Sequence, residues 1–105
     1  MKNLSDKDLQ NILSGLLAYK PEKVILFGSA ARGNLKTAGD LDLFIIKKTT
    51  KSHAERVWEI TDLIFDKINA PLDLVVYTPE EVKQAQKNRS MFLEEVFKEG
   101  RVLYG

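Results

Sequence analysis

Lys23-Val24-Ile25-Leu26-Phe27-Gly28-Ser29-Ala30-Ala31-Arg32-Gly33, followed shortly by Gly39-Asp40-Leu41-Asp42-Leu43-Phe44-Ile45-Ile46, is the stretch that decides the fold. Its first half is a short apolar run with β-branched Val24 and Ile25, ended by Gly28, and reads as a buried strand. Residues 28–39 hold Gly28, Gly33 and Gly39 and read as a loop with room for one helical turn. Asp40 to Ile46 reads as a second strand that opens with two acids. Loops at strand ends are where sheet proteins place their chemistry.

Upstream, Ser5 and Asp8 read as a capping box, with Asp in place of the usual Glu or Gln. Leu9, Ile12, Leu13, Leu16 and Leu17 then recur at helical spacing, and Pro21 marks the exit. Downstream, Ser52 caps a long helix whose inner face holds Val57, Ile60, Ile64 and Ile68, with Trp58 and Phe65 beside them as core, until Pro71 stops it. Leu72 to Tyr77 is a third strand. Thr78-Pro79-Glu80-Glu81 starts a helix, with Thr78 as cap, Pro79 at the first helical position and acids in the first turn. That helix is expected to run to about Lys98, with Met91, Phe92, Val96 and Phe97 on the sheet and Gly100 closing it. Val102 to Tyr104 adds a short edge strand. The order predicts an α/β (α+β) chain: one domain over residues 1–105, a small mixed sheet flanked by three to four helices.

The bulk numbers bound the function. The 105 residues are one domain's worth, and 44% apolar with 30% charged residues is ordinary for a globular protein. The absence of cysteine excludes disulfides and thiolate metal sites. A net charge of +1 argues against general nucleic-acid binding, which usually needs a clear basic excess. No run approaches the roughly 20 apolar residues of a membrane span, and the first residues lack the apolar run of a signal peptide. A cytoplasmic location is expected.

Asp40 and Asp42 carry the chemistry. Residues two apart in a strand share a face, and two carboxylates on one face repel each other. A divalent cation relieves that repulsion, and Mg²⁺ is typically held by one or two carboxylates plus substrate phosphates. Two such ions can clamp the attacking and leaving oxygens of a phosphoryl-type displacement. Asp73 opens the third strand and is costly to bury unless paired or metal-bound. If strands two and three are neighbours, Asp73 sits beside Asp42. Acids at strand ends also occur as solvated turn residues, so the upstream loop matters.

In that loop, Gly28 allows a ligand close to the backbone. Exposed N–H groups at a strand-to-helix turn attract anions. Ser29 offers a hydroxyl to a phosphate oxygen, and Arg32 offers a fork of donors; otherwise Arg32 is a surface cation balancing nearby acids. The loop lacks the Gly-Lys-Ser/Thr ending of a P-loop and the glycine spacing of a dinucleotide fingerprint.

Together, Gly28-Ser29-x-x-Arg32-Gly33, Asp40-x-Asp42 and Asp73 resemble the minimal nucleotidyltransferase family of the DNA polymerase beta superfamily. The resemblance extends to the ending Phe97-Lys98-Glu99-Gly100-Arg101-Val102-Leu103-Tyr104. It implies that the turn at Gly28, Ser29, Arg32 and Gly33 holds the triphosphate of ATP or another nucleoside triphosphate. It implies that Asp40, Asp42 and Asp73 bind two Mg²⁺ ions, with Asp73 near the attacking hydroxyl. The implied reaction moves a nucleoside monophosphate to an acceptor hydroxyl and releases pyrophosphate. Gly39 stands where many members have Ser, which bears on affinity more than on catalysis. Larger relatives carry an extra helical domain that holds the acceptor, for which this chain has no room. The acceptor half is therefore expected from another protein or from a homodimer. Minimal members often pair with a HEPN-domain toxin as the antitoxin, acting by modification or, alternatively, by binding alone.

The remaining features read as structural. His53, the only histidine, reads as a solvated surface residue, and Lys47, Lys48 and Lys51 as an exposed basic loop.

Overall fold

The computed structural model of the chain describes residues 6–32, 40–68 and 71–105. The proposed Ser5 cap, Gly33 and Gly39 lie outside the described residues. Helix α1 covers Asp6–Leu16, and a 3₁₀ turn, Leu17–Tyr19, follows it. Strand β1 is Lys23–Phe27, and a short helix α2, Ser29–Arg32, comes directly after Gly28. Strand β2 is Leu41–Ile46, and helix α3 is His53–Ile64. Strand β3 is Leu72–Tyr77, helices α4 and α5 are Pro79–Lys87 and Met91–Glu99, and β4 is Arg101–Tyr104.

The four strands form one mixed sheet in the order β3-β2-β1-β4. β1 runs antiparallel to both β2 and β4, and β2 runs parallel to β3. Alternation along each strand sorts side chains onto two faces. One face, with Val24, Leu26, Leu41, Leu43, Ile45, Leu74 and Val76, packs against Leu9, Ile12 and Leu16 of α1 and Ile60 and Ile64 of α3. The other, with Ile25 and Phe44, is covered by Val82 of α4 and by Leu93 and Val96 of α5. Asp42 alternates with Phe44 and Ile46, so it belongs to the α4–α5 face, just past the end of that cover. Among the described residues no helix is long and apolar enough to cross a membrane.

The helix starts follow the sequence. Ser52 and Glu55 form a capping box on α3, and Thr78 and Glu81 form another on α4. Several expectations give way. The single helix from Pro79 to Lys98 is two helices, because Arg89 takes a left-handed conformation (φ 55°) and Ser90 caps the next helix, its Oγ accepting the Leu93 N–H. With the single turn of α2, the described residues form five helices around the sheet.

Trp58 and Phe65 are not core: they are 74% and 70% exposed. Trp58 sits on the side of α3 opposite Ile60, Phe65 opens the 3₁₀ turn Phe65–Lys67 after that helix, and the inner face of α3 is shared by Ile60, Ile64 and Arg56, the last only 7% exposed. Met91 likewise points to solvent instead of packing on the sheet. Arg56 is held by four acceptors. Its Nε donates to the Lys51 carbonyl, and its Nη1 donates to the Val76 carbonyl and to Glu81 Oε1 at 2.7 Å; Nη2 reaches Glu81 Oε2. His53 is exposed but bonded, its Nε2 accepting the Val76 N–H at 3.2 Å. Two side chains of α3 thereby occupy both outward backbone groups of Val76 on the edge strand β3. Lys47 is not a free loop cation either: its Nζ donates to the carbonyls of Tyr19 and Lys20.

Candidate active site

The site forms where β1 ends and β2 and β3 begin. The parallel register pairs Asp42 with Asp73, and the antiparallel register pairs Asp42 with Phe27. Leu41 and Leu72 stand opposite each other, and the Leu41 N–H donates to the Pro71 carbonyl at 2.9 Å, fixing that register at the strand entrance. Asp40 lies just before β2, one residue outside the strand expected to include it. Asp42 is half-buried, whereas Asp40 and Asp73 are exposed.

The electrostatics tie the three acids together. Burial pushes the Asp42 carboxyl above the ordinary carboxylate range, and the negative charges of Asp73 and Asp40 push it further, while Arg32 pulls it back. The charge of Asp42 is thus offset only in part, by Arg32. That donor set is all oxygen and suits a hard divalent cation such as Mg²⁺. Among the described residues no three acidic or imidazole side chains close around a common point as a finished metal site does.

Gly28 joins the turn to the carboxylates. Its φ is +74°, a backbone state that side chains rarely adopt, and a Cβ there would collide with the Asp42 carboxylate. The chain turns at this glycine so tightly that the N–H groups of Ala31 and Arg32 both return to the Gly28 carbonyl. Ser29 begins α2 immediately beside Asp42's neighbour, and the first N–H groups of a helix have no partner within it.

Arg32 ends α2 and leans toward α5. Its Nη1 lies 3.5 Å from both Glu95 and Glu99, which are one helical turn apart. It is therefore the balancing surface cation of one reading, and it also lies close enough to the acids to lower the Asp42 carboxyl pKa. Sequence reasoning missed Glu95, Glu99 and Phe92 as neighbours of the turn. The only sequence signal of the two glutamates was their i, i+4 spacing.

The family model described as polymerase beta, nucleotidyltransferase matches residues 7–105. No curated protein matches the chain significantly. Among solved structures, a chain in the crystal structure of a toxin-antitoxin MntA-HpeT mutant has a similar fold, with a TM-score of 0.61 and 22% identity over 97% of this chain and 73% of that one.

Proposed function

The chain belongs to the polymerase beta nucleotidyltransferase family, and from that premise we propose that it moves AMP from ATP onto a hydroxyl of a partner protein. The observation that carries the reading is the in-register pair Asp42–Asp73 with Asp40 beside it, packed directly against the Gly28 turn. In this reading Gly28 and Ser29 bring backbone N–H groups and a hydroxyl to the triphosphate, and Arg32 supplies opposite charge nearby. Asp40, Asp42 and Asp73 hold two Mg²⁺ ions. When bound, these ions neutralise the acids and polarise the phosphoryl oxygens.

Asp42 is the interior ligand, fixed by its strand and by Gly28. Asp73, the exposed member of the pair, faces the approaching acceptor and takes up the proton of its hydroxyl. The new bond joins the acceptor oxygen to the α-phosphorus; the bond to pyrophosphate breaks, and pyrophosphate leaves. The partner that best suits the reading is a HEPN-type toxin, because a structural neighbour is part of a toxin-antitoxin complex. The chain then acts in the cytoplasm as the antitoxin, and the acceptor half of the site belongs to the partner or to a second copy. Incubation with the partner and ATP labelled at either the α- or the γ-phosphate tests this. Transfer of the α-label alone supports nucleotidyl transfer, and transfer of the γ-label contradicts it.

A second reading, neutralisation of the partner by binding alone, is favoured by the exposed side chains of Trp58, Phe65 and Met91. If Asp40→Asn with Asp42→Asn still protects cells fully, binding rather than transfer is the function.

A further inference from the structure

On the α4–α5 face, the end of the sheet that carries the acids continues into an aromatic cluster. Phe27 stands opposite Asp42 and immediately precedes Gly28. The Phe92 ring meets Phe27 edge to face at 5.5 Å between centroids and also approaches Phe44 at 6.2 Å. Phe92 keeps 37% of its surface exposed, a large apolar area for a side chain in a cluster. Between α2 and α5 lies a cavity of about 160 Å³, walled by Phe27, Gly28, Arg32, Phe92, Glu95 and Glu99. Gly28 and Arg32 belong to this cavity and to the proposed phosphate turn at once.

We infer that this cavity takes the nucleobase of the bound nucleotide, with Phe92 as its apolar face and Glu95 and Glu99 as acceptors for an exocyclic amine. The inference rests on the nucleotidyl-transfer reading above and extends it to the part of the substrate that the motifs leave unassigned. Three features select the occupant. The cavity is smaller than the roughly 300–1,000 Å³ of pockets that enclose a whole drug-sized ligand, so it suits one ring system rather than an entire nucleotide. Its chemistry is an apolar ring on one side and a guanidinium on the other, the two kinds of surface on which bases stack. Its rim is acidic, and a carboxylate only accepts hydrogen bonds, which favours a base that offers an amine over one that offers a carbonyl. Because one wall is Gly28, which itself abuts Asp42, a nucleotide whose phosphates lie on the turn and the acids has its base at the cavity mouth.

Calorimetric titration in Mg²⁺ with three ligands (ATP, inosine triphosphate and inorganic tripolyphosphate) tests this on the full chain. Base–aromatic stacking accounts for a roughly tenfold loss of ATP affinity in Phe92→Ala, with tripolyphosphate binding unchanged within about twofold. Phe92→Leu, which keeps most of the apolar volume, is expected to show the same selective loss and controls for loosened packing. The unmodified chain prefers ATP to inosine triphosphate, and Glu95→Gln with Glu99→Gln brings that ratio toward one. Equal loss of ATP and tripolyphosphate in both Phe92 variants overturns the inference, as does an ATP preference that survives loss of both glutamates. Failure of the unmodified chain to bind either ATP or tripolyphosphate overturns the nucleotidyl-transfer reading, and the base site with it.

Discussion

Replacing Gly28 by Ala separates the two jobs that the structure gives this residue. The first is conformational: φ is +74°, and a left-handed backbone costs a side-chain-bearing residue about 1–2 kcal/mol. Alanine also lowers the entropy of the unfolded chain, which returns about 0.4–1 kcal/mol. The net destabilisation is therefore about 1 kcal/mol, or roughly 4 °C of Tm for a chain of this size. The second job is steric. The added methyl meets the end of the Asp42 side chain, which can swing away at small cost in stability but not without leaving its place beside Asp73. A displacement of about 1 Å at a reacting centre can cost about a hundredfold in rate.

Gly28→Ala should thus lose about 4 °C by differential scanning fluorimetry and about a hundredfold in labelled-ATP transfer. In an Asp42→Ala background the collision is absent, so the added stability cost should be the backbone term alone. Transfer within about twofold of the unmodified chain, with Tm unchanged, would refute the close packing of turn and carboxylate.

Other consequences follow from the same contacts. Because Asp42 has its carboxyl raised in the folded state, the stability it contributes is complete below the unfolded carboxylate value and is lost as pH rises through the folded one. Asp42→Asn should therefore raise Tm at pH 7 in EDTA and flatten the decline in Tm above the ordinary carboxylate range; a lower Tm contradicts the electrostatic account. Glu81 has its carboxyl lowered, chiefly by its hydrogen bond from Arg56. Its contribution holds above the unfolded value and fades as pH falls through the folded one, so Glu81→Gln should reduce acid sensitivity in Tm–pH profiles. Arg56→Met removes donors to the buried Val76 carbonyl and the partly buried Lys51 carbonyl, and the bond to a half-exposed Glu81; urea midpoints should register a loss of about 2–4 kcal/mol. Trp58→Ser and Phe65→Ser should each stay within about 0.5 kcal/mol by the same assay, because both rings lie in solvent.

Much of the architecture was legible because local signals and tertiary demands agree there. The β-branched run before Gly28 yielded β1 at the bounds observed, and Thr78-Pro79-Glu80-Glu81 yielded the start of α4. The pairing of Asp42 with Asp73 was expected only on the condition that their strands be neighbours, which periodicity cannot decide and the parallel register now meets. Helix periodicity failed at Trp58 and Phe65. Trp58 falls on the face opposite Ile60 and Phe65 in the 3₁₀ turn after the helix, and apolarity alone could not say that a buried Arg56 would share the inner face. Such an arginine is invisible in a hydrophobic pattern, since its burial depends on Val76 and Glu81 arriving from distant sequence. The break at Arg89 was likewise hidden, because a left-handed arginine has no sequence signature comparable to glycine's. Arg32 is the instructive case at the site: its place on the turn was readable, but its glutamate partners come from a helix whose phase was not.

The central claim is that the aspartate edge carries out nucleotidyl transfer. The most direct test compares the unmodified chain with Asp42→Asn in transfer of the α-label of ATP to the proposed toxin partner with Mg²⁺ present. The substitution is isosteric and is expected to stabilise the metal-free fold, so lost activity cannot be ascribed to unfolding. The account predicts a fall of about a hundredfold or more, the scale seen when one essential electrostatic contact to a transition state is removed. Equal transfer by the two proteins would contradict it.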